Sequence, residues 1–233
     1  MKYRYKFLMV VMVLVGTAWM GITELHAQTY YGIRAGANFS NMLVKDNFGV
    51  SSDHFKMKPG FHIGVTAEMP FVETNDTFMF ETGLLFTTKG FRSTRNFSNS
   101  SPGQMAIKTT AYYLEVPLTA KAYYQLEKVK IYGLFGPYLG RGVNRRAMAR
   151  AIYDNYIVDP EEEINWEQDD EHADHIGGLD LGLIIGGGVQ LNAMQIGINY
   201  GLGLENVSPH TTGKAKAKNR VLSLSVGYKF GGR

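Results

Sequence analysis

The residues whose types and spacing could do chemistry lie in one stretch, DPEEEINWEQDDEHADHIGG, from Asp159 to Gly178. His172 and His175 stand three residues apart within it. The acidic candidates around them are Glu161, Glu162, Glu163, Asp169 and Asp170. Two histidines at i and i+3 beside carboxylates can share a helical face and bind Zn²⁺, and carboxylates alone can hold Ca²⁺. The stretch matches no established metal-binding spacing, so a metal site is the less favoured interpretation.

The same part of the chain is polarised in charge. From Asp154 to Asp174 there are ten acidic residues and no basic ones. Just upstream lie three basic candidates for binding, Arg145, Arg146 and Arg150. Such a segment can fold back on itself, or span between anionic lipid headgroups and a cationic partner or divalent ions. Because runs of like charge are usually solvated interaction segments, we predict a binding surface here.

Established catalytic patterns are missing from the sequence. It contains no GxSxG, HExxH or phosphate-loop motif. The chain of 233 residues has no Cys, so thiolate and redox chemistry are excluded. The spacing of His54, His62 and His210 relative to nearby serines does not hold a base against a nucleophile. We therefore predict that the protein is not an enzyme and carries no cofactor.

The N-terminal residues 1–27 have the order of a secretory signal peptide. Lys2, Arg4 and Lys6 form a basic start, residues 7–22 are apolar, and LHA precedes Gln28. An uncleaved anchor is the alternative, although the run is short of the roughly 20 residues that a membrane helix needs. With no Pro/Ser-rich linker further on, we predict a single domain over residues 28–233.

Charge gives no sign of nucleic-acid binding. Once residues 1–27 are set aside, 21 basic and 20 acidic residues remain. Glycine is frequent, with 27 residues in the chain, and the glycines fall inside patterned segments rather than in a low-complexity tract.

The dominant pattern is alternation of apolar and small or polar residues with a period of two. Eight segments show it: YYGIRAGANFS, PGFHIGVTAEM, FMFETGLLFTTKG, YYLEVPLTAKAYY, KIYGLFGPYLG, LDLGLIIGGGVQL, QIGINYGLGL and RVLSLSVGYKF. Each reaches the roughly 9–11 residues that a tilted membrane strand needs. The fifth, KIYGLFGPYLG, does not show which face points outward.

Connection lengths alternate along the chain. Long connections are predicted at 41–57, 92–106, 142–177 and 205–219, and short ones at 70–77, 125–128 and 192–194. Short periplasmic turns and long extracellular loops are typical of transmembrane barrels. We therefore predict an all-β, eight-stranded antiparallel up-and-down transmembrane β-barrel in the outer membrane, with both termini periplasmic. A soluble lipocalin-like barrel or sandwich is the alternative.

Aromatic residues support two interface levels on this topology. One level holds Tyr30, Tyr31, Phe71, Phe78, Tyr123, Tyr124, Tyr132 and Phe230, and the other holds Phe39, Phe61, Phe91, Tyr112, Tyr113 and Tyr138. Two prolines inside strands, Pro117 and Pro137, predict local bulges.

The inward faces carry charge of both signs. The predicted inward residues are Arg34, Glu68, Glu81, Lys89, Glu115, Lys121 and Asp180. An eight-stranded barrel has an interior that side chains fill, so these charges are expected to pair as a polar plug. A plug argues against a wide solute channel.

Several stretches resemble the eight-stranded outer-membrane β-barrel domain common in Bacteroidetes, the group that includes the PorT-like proteins. They are GIRAGANFSN, KPGFHIGV, ETGLLFTTKG, YYLEVPLTAKAYY, GPYLG, LDLGLIIGGGVQL, INYGLGLENV and LSVGYKF. The resemblance implies an outer-membrane location, insertion by the barrel assembly machinery and a last strand ending in Phe. Here Gly231, Gly232 and Arg233 follow Phe230. The PorT-like branch is linked to type IX protein secretion, and the family brings no catalytic motif.

The sequence thus predicts a non-catalytic barrel that uses its long loops, notably 142–177, for interaction or assembly. The expected partners are outer-membrane lipid and a secretion-system or other outer-membrane or periplasmic protein. A small passive porin and an outer-membrane lipid-modifying enzyme are the alternatives.

Overall fold

The computed structural model describes residues 29–45, 55–72, 75–97, 103–153, 156–158, 161–164, 179–205 and 216–231. These residues form eleven strands: β1 (Tyr30–Lys45), β2 (Phe55–Lys56), β3 (Lys58–Val72), β4 (Asn75–Phe97), β5 (Gly103–Leu126), β6 (Val129–Tyr153), β7 (Tyr156–Val158), β8 (Glu161–Ile164), β9 (Leu179–Leu191), β10 (Met194–Gly203) and β11 (Lys216–Gly231).

Eight of these strands close into one barrel, in the order β1, β3, β4, β5, β6, β9, β10 and β11. Every pairing is antiparallel, and β11 returns to pair with β1 from Tyr30↔Gly231 to Lys45↔Lys216. Closure leaves no free edge along the wall, which is why such a sheet can stand in lipid. The predicted fold class is confirmed, and β2, β7 and β8 are short additions to it.

The two ends of the barrel differ. At one, the turn end, consecutive strands are joined by two-residue connections, at 73–74, 127–128 and 192–193. Glu127 and Asn192 have positive φ values of 42° and 52°, as tight hairpins require. Gln125 and Gln190 each donate from Nε2 to the carbonyl oxygen of these turn residues, at 2.7 and 2.9 Å. The opposite end, the loop end, carries the longer connections.

At the loop end β4, β5 and β6 rise far above the other strands. Arg141 is the last residue of β6 that pairs with β9, and β6 continues to Tyr153. At about 3.3 Å per residue, this extension is roughly 40 Å long. We call residues 92–97, 103–112 and 142–153, together with β2, β7 and β8, the extended sheet.

The extended sheet corrects the predicted connections. Residues 92–106 were expected to form a loop, but β4 and β5 leave only 98–102 between them. Residues 142–177 were also expected to be a loop, but 142–153 belong to β6. Here the strands stay paired beyond the apolar band that faces lipid. Outside that band the outward residues need not be apolar, so the sequence pattern does not show where a strand ends.

Side chains alternate between the interior and the outer wall as predicted. The outward apolar residues are widely exposed, among them Ile33, Val65, Ile196 and Val226. In β6, where the sequence left the face open, Tyr132, Leu134 and Tyr138 point inward and are buried, while Ile131 and Phe135 point outward.

The aromatic levels are partly confirmed. On the outer wall, Phe61 and Tyr112 lie 6.0 and 5.9 Å from Phe86 between ring centroids near the loop end. Nearer the turn end Phe71 and Phe80 meet at 6.4 Å. Five aromatic residues predicted for the membrane interfaces instead face the interior: Tyr30, Tyr113, Tyr123, Tyr132 and Tyr138. The hydroxyl groups of Tyr123 and Tyr138 donate to interior carboxylates, as described below.

The predicted bulges at Pro117 and Pro137 are not observed. The β5–β6 register runs unchanged past Pro117↔Tyr138, and Pro137 pairs with Leu183. The register shifts lie at Pro70/Val72 and Tyr112/Tyr113. Each proline lacks a backbone N–H group and so removes one hydrogen bond between the strands, but the register of the strands is unchanged.

The predicted signal peptide, residues 1–27, lies outside the described residues. Within the described ranges, no helix is long and apolar enough to cross a membrane.

Candidate functional site: the charged interior and the extended sheet

Five charged side chains meet inside the barrel near the turn end. Nη1 and Nη2 of Arg34 donate to the two carboxylate oxygens of Glu81, at 2.7 Å each. Lys121 Nζ bridges Glu81 Oε2 and Glu68 Oε1, both at 2.8 Å. Lys229 Nζ donates to Glu68 Oε2 at 2.6 Å. These residues, the turn-end cluster, come from β1, β3, β4, β5 and β11, so they tie most of the wall together.

Tyrosine and glutamine side chains complete this cluster. Tyr123 donates its hydroxyl to Glu68 Oε2 at 2.8 Å, and Gln195 donates to the Tyr123 hydroxyl oxygen at 2.9 Å. The Lys121 ammonium lies 4.1 Å from the ring centroid of Tyr132. A buried charge is tolerated when it is paired and its remaining hydrogen-bonding capacity is met, and this cluster meets both conditions.

A second group of charges, the loop-end cluster, lies nearer the other end of the barrel. Lys89 Nζ pairs with Asp180 Oδ2 at 2.9 Å and also with Glu115. Asp180 has no exposed surface and accepts hydrogen bonds from Asn219 at 2.8 Å and Tyr138 at 3.2 Å. The Lys89 ammonium also lies 4.3 Å from the Tyr138 ring centroid.

The two clusters carry opposite net charge. The turn-end cluster holds three cations and two carboxylates, so its formal charge is +1. The loop-end cluster holds one cation and two carboxylates, so its formal charge is −1. The predicted polar plug is therefore present as two ionic layers, and each layer draws on residues from opposite sides of the barrel.

Between the layers lies a cavity of about 50 Å³. One water molecule needs roughly 10–15 Å³, so the cavity has room for a few waters. Residues of both layers line it, including Arg34, Glu81 and Lys89. The free space at this level is therefore only a few waters in size.

His62 organises the wall of this cavity. Its Nδ1 lies 2.8 Å from Asn38 Oδ1, and its Nε2 lies 3.1 Å from Ser225 Oγ. The amide of Asn38 donates to the carbonyl oxygens of Phe61 and Thr88, which assigns Oδ1 as the acceptor. His62 therefore carries its proton on Nδ1, and Nε2 accepts from the Ser225 hydroxyl.

The order Ser225, His62, Asn38 is that of a nucleophile, a base and a group that orients the base. The surroundings do not complete such a site. Ser225 stands on β11, which is paired with β1 and β10 at this level, so the neighbouring backbone N–H groups are engaged in the ladders rather than available to a developing oxyanion. The cavity has room for only a few waters. We interpret the hydrogen-bonded series Ser225, His62 and Asn38 as part of the polar network that fills the barrel interior.

The predicted basic and acidic binding residues lie next to one another on paired strands of the extended sheet. β8 pairs antiparallel with β6, with Arg146 opposite Glu163 and Arg145 opposite Ile164. Glu162 and Glu161 stand opposite Ala147 and Met148. Further along β6, Arg150 pairs with Ala106 of β5. Backbone pairing thus folds the polarised segment back on itself, which was one of the two predicted arrangements.

The other candidates, Asp169, Asp170, His172 and His175, lie outside the described residues, as do His54 and His210. The metal hypothesis for His172 and His175 stays a prediction. Among the described residues, no group of three or more His, Cys, Asp or Glu side chains is arranged to hold a metal ion.

Sequence reasoning missed most of the neutral members of the plug. Asn38, His62 and Ser225 stand on the correctly predicted inward faces, but nothing marked them as one network. Tyr113 and Tyr123 fall in the same alternation as Glu115 and Lys121. That alternation was the available signal that these tyrosines point inward.

Comparison with known proteins gives one family match. The model of the family described as "Outer membrane protein beta-barrel domain" matches residues 26–208. Among solved structures, Ail, the attachment invasion locus protein of Yersinia pestis, is 18% identical, covers 87% of this chain and 99% of its own, and has a TM-score of 0.33. Neisserial surface protein A is 16% identical over 86% and 97%, with a TM-score of 0.36. No curated protein sequence matches the chain.

Proposed function

The chain belongs to the outer membrane protein beta-barrel domain family, and from that premise we propose that it is a non-catalytic barrel whose extended sheet binds a protein partner. The observation that carries this proposal is the interior. Two ionic layers fill the space through which a solute would pass. We therefore assign the function to the extended sheet, the surface that the barrel presents above the membrane.

The proposed orientation places the loop end outside the cell and both termini in the periplasm. Short turns face the periplasm and long connections face outward in barrels of this kind. The short connections of this chain share one end with Tyr30 and Gly231, the first and last barrel residues. The lipid partner is the bilayer that surrounds the outward apolar residues.

The proposed binding surface is the extended sheet, because a rigid scaffold presents it and because its charge is polarised. β6 contributes Arg145, Arg146 and Arg150, and β8 places Glu161, Glu162 and Glu163 beside it. Binding functions concentrate on surface segments that a rigid scaffold holds. A partner with complementary charge would gain register and association rate from such a surface.

The more specific form of the proposal is a PorT-like role in type IX protein secretion. Its support is the resemblance of the strand motifs, which run in the family's order over most of the chain. On this proposal the partner is another outer-membrane or periplasmic component of that machinery.

Affinity purification from native outer membranes in mild detergent tests the binding surface. We expect a co-purifying protein in fixed ratio to the wild type, and at least a tenfold loss of it when Arg145, Arg146 and Arg150 are changed to Ser. A matched variant, Lys128→Ser in an exposed turn at the turn end, should retain it. Equal recovery with both variants, after heat-modifiable gel mobility has shown that each is folded, would remove the proposal.

The first alternative is a passive porin, and measurements of channel conductance test it. The two ionic layers predict that wild-type protein in planar bilayers shows no stable single-channel conductance. Liposome swelling with small sugars should likewise not exceed that of empty vesicles. Reproducible conductance steps from folded wild-type protein would contradict the plugged interior.

The lipid-modifying enzyme is the second alternative, and Ser225 is the residue through which it would act. Mass spectrometry of the folded protein after incubation with a serine-directed sulfonyl fluoride should show no adduct on Ser225. An adduct that disappears in His62→Gln would indicate an activated nucleophile and would overturn the non-catalytic assignment.

A further inference from the structure

Three exposed cations stand in one row across neighbouring strands at the base of the extended sheet. Lys56 of β2 is the register partner of Arg92 of β4, and Arg92 is also the register partner of Lys108 of β5. Directly opposed residues of antiparallel strands point to the same face of a sheet, with their Cβ atoms roughly 4.5–5.5 Å apart. All three side chains are exposed. We call these three residues the cationic row.

No acidic residue in register offsets the charge of the cationic row. The same-face neighbours of Arg92 and Lys108 along β4 and β5 are neutral: Gly90, Thr94, Ala106 and Thr110. Among the described residues, none of the three cations forms an ion pair. Like charges directly opposite one another destabilise a sheet, so an anion from outside the barrel would stabilise this part of it.

The cationic row stands on the lipid-facing side of the wall. β5 keeps its alternation at this level, with Thr109 and Ala111 buried inside and Leu114 and Lys108 exposed outside. The row therefore continues the same outer face that meets acyl chains further down the strand.

The height of the row matches the lipid headgroups. Lys108 lies four residues beyond Tyr112, whose ring stacks on Phe86 at the outer wall. At about 3.3 Å per residue and a strand tilt of about 40°, the row stands roughly 10 Å above this aromatic pair. Headgroups add roughly 5–8 Å to each side of the hydrocarbon core, and long Lys and Arg side chains reach toward that layer.

The outer wall differs between the two ends of the barrel. Other cations stand on it at the loop end, and one of them, Arg220, has a buried Nε with no hydrogen-bond partner among the described residues. At the turn end the outer wall finishes in exposed aromatic residues, among them Tyr31, Phe78 and Tyr124. Within the described strands, no two cations stand in register at that end.

We propose that the cationic row binds the phosphate group of an anionic lipid in the leaflet at the loop end. Its face and height favour a lipid over a dissolved anion, because the same wall contacts acyl chains directly below. Each cation can donate a charge-assisted hydrogen bond to a phosphate oxygen. The site depends on the barrel standing in the membrane. It does not depend on the protein partner proposed above, whose assigned residues lie on β6 and β8, so either proposal can fail alone.

Isothermal titration calorimetry of the refolded barrel in uncharged detergent measures the preference, with short-chain phosphatidylglycerol and phosphatidylcholine as probes. We expect the wild type to bind phosphatidylglycerol at least tenfold more tightly. One cation near an anionic lipid surface contributes roughly fivefold, so changing the whole row to Ser should weaken phosphatidylglycerol binding by about 100-fold. Equal affinity of the wild type for both lipids, or unchanged affinity in the variant, would overturn the proposal.

A pair of single substitutions supplies the matched control. Lys108→Ser should lose about fivefold in phosphatidylglycerol affinity. Lys128→Ser, in an exposed turn at the turn end, should lose nothing. Equal losses in the two variants would indicate a general attraction to the charge of the protein and would contradict a site at the row.

Thermal unfolding gives a second readout, whose sign depends on the lipid. In uncharged detergent Arg92→Gln should raise the unfolding midpoint, because it removes the central charge of three like charges. With phosphatidylglycerol added, the same substitution should lower the midpoint relative to the wild type. The same sign under both conditions would refute the assignment.

Soluble glycerol phosphate separates a lipid from a dissolved anion, since it carries the phosphate without acyl chains. It should not bind at concentrations at which phosphatidylglycerol saturates the wild type. Equal affinity for the two would assign the row to a solute. Loss of the co-purifying protein in the row variant, with lipid binding unchanged, would assign the row to the partner surface instead.

Discussion

Glu81→Gln should destabilise the barrel by about 3–5 kcal/mol, because it removes one partner of a buried ion pair and leaves the other charged. Glu81 is 1% exposed and is the only carboxylate bonded to Arg34 among the described residues. Its loss leaves Arg34, Lys121 and Lys229 around the single carboxylate of Glu68. Urea unfolding of the refolded protein in detergent, followed by circular dichroism, measures the change.

A double-mutant cycle supplies the control. Changing Arg34→Met together with Glu81→Gln removes the pair and restores the original +1 balance of the turn-end cluster. Replacing a whole buried pair is often close to neutral, so the double variant should recover most of the lost stability. Additive losses would show that the Arg34–Glu81 contact is not what Glu81 contributes. Glu127→Gln, in an exposed turn, should leave the unfolding curve unchanged.

Gly136→Ala should cost about 3 kcal/mol or more, because the new methyl group would meet backbone rather than a movable side chain. A Cβ at Gly136 would lie 2.2 Å from the carbonyl oxygen of Leu118 and 2.7 Å from the Cα of Thr119. Relief requires β5 and β6 to separate where they enclose the cavity. The folded fraction after refolding, read from heat-modifiable gel mobility, should fall, and the remainder should unfold at lower urea.

The same strand offers a matched control at Gly133. This glycine points outward, and its Cβ would come no closer than 3.9 Å to the carbonyl oxygen of Gly186. Gly133→Ala should therefore be neutral or slightly stabilising, since alanine loses less backbone entropy on folding. Similar losses at both positions would mean that glycine is needed in β6 for backbone conformation and not for space.

Alternation with a period of two was sufficient to predict the barrel and most of its inward charges. In β5 the sequence places Leu114, Val116 and Leu118 on one face and Glu115 and Lys121 on the other, and the structure agrees. Because a charged side chain that faces lipid is costly, the face with Glu115 and Lys121 must point into the barrel. In β6, where aromatic and small residues stand on both faces, no such penalty decided the direction.

Two features were not predicted. The inward tyrosines were assigned to the membrane interfaces because an aromatic ring suits either environment, although Tyr113 and Tyr123 alternate in step with Glu115 and Lys121. In the structure the rings of Tyr132 and Tyr138 lie beside the ammonium groups of Lys121 and Lys89. The length of β4 to β6 was underestimated because strand pairing in water requires no apolar face. The polar segments of the extended sheet therefore look like loops.

For the binding surface, the sequence identified the charged residues and the structure supplied their neighbours. The acidic run was predicted as an interaction segment from composition alone. Composition cannot show that Glu163 lies in register with Arg146, since that pairing joins segments whose separation only the fold specifies. The same limit applied to the ion pairs of the interior.

The pairing of distant residues in the turn-end cluster has a consequence for how the protein enters the membrane. Arg34 and Glu81 are 47 residues apart, and Lys229 reaches back 161 residues to Glu68. Until β11 meets β1, Glu68 lacks its contact with Lys229, and an open sheet would present the paired charges of the other four strands to lipid. Closure of the last seam thus completes the cluster and encloses its charges in one event. We expect half-inserted forms to be sparsely populated, so that insertion behaves as a single cooperative step.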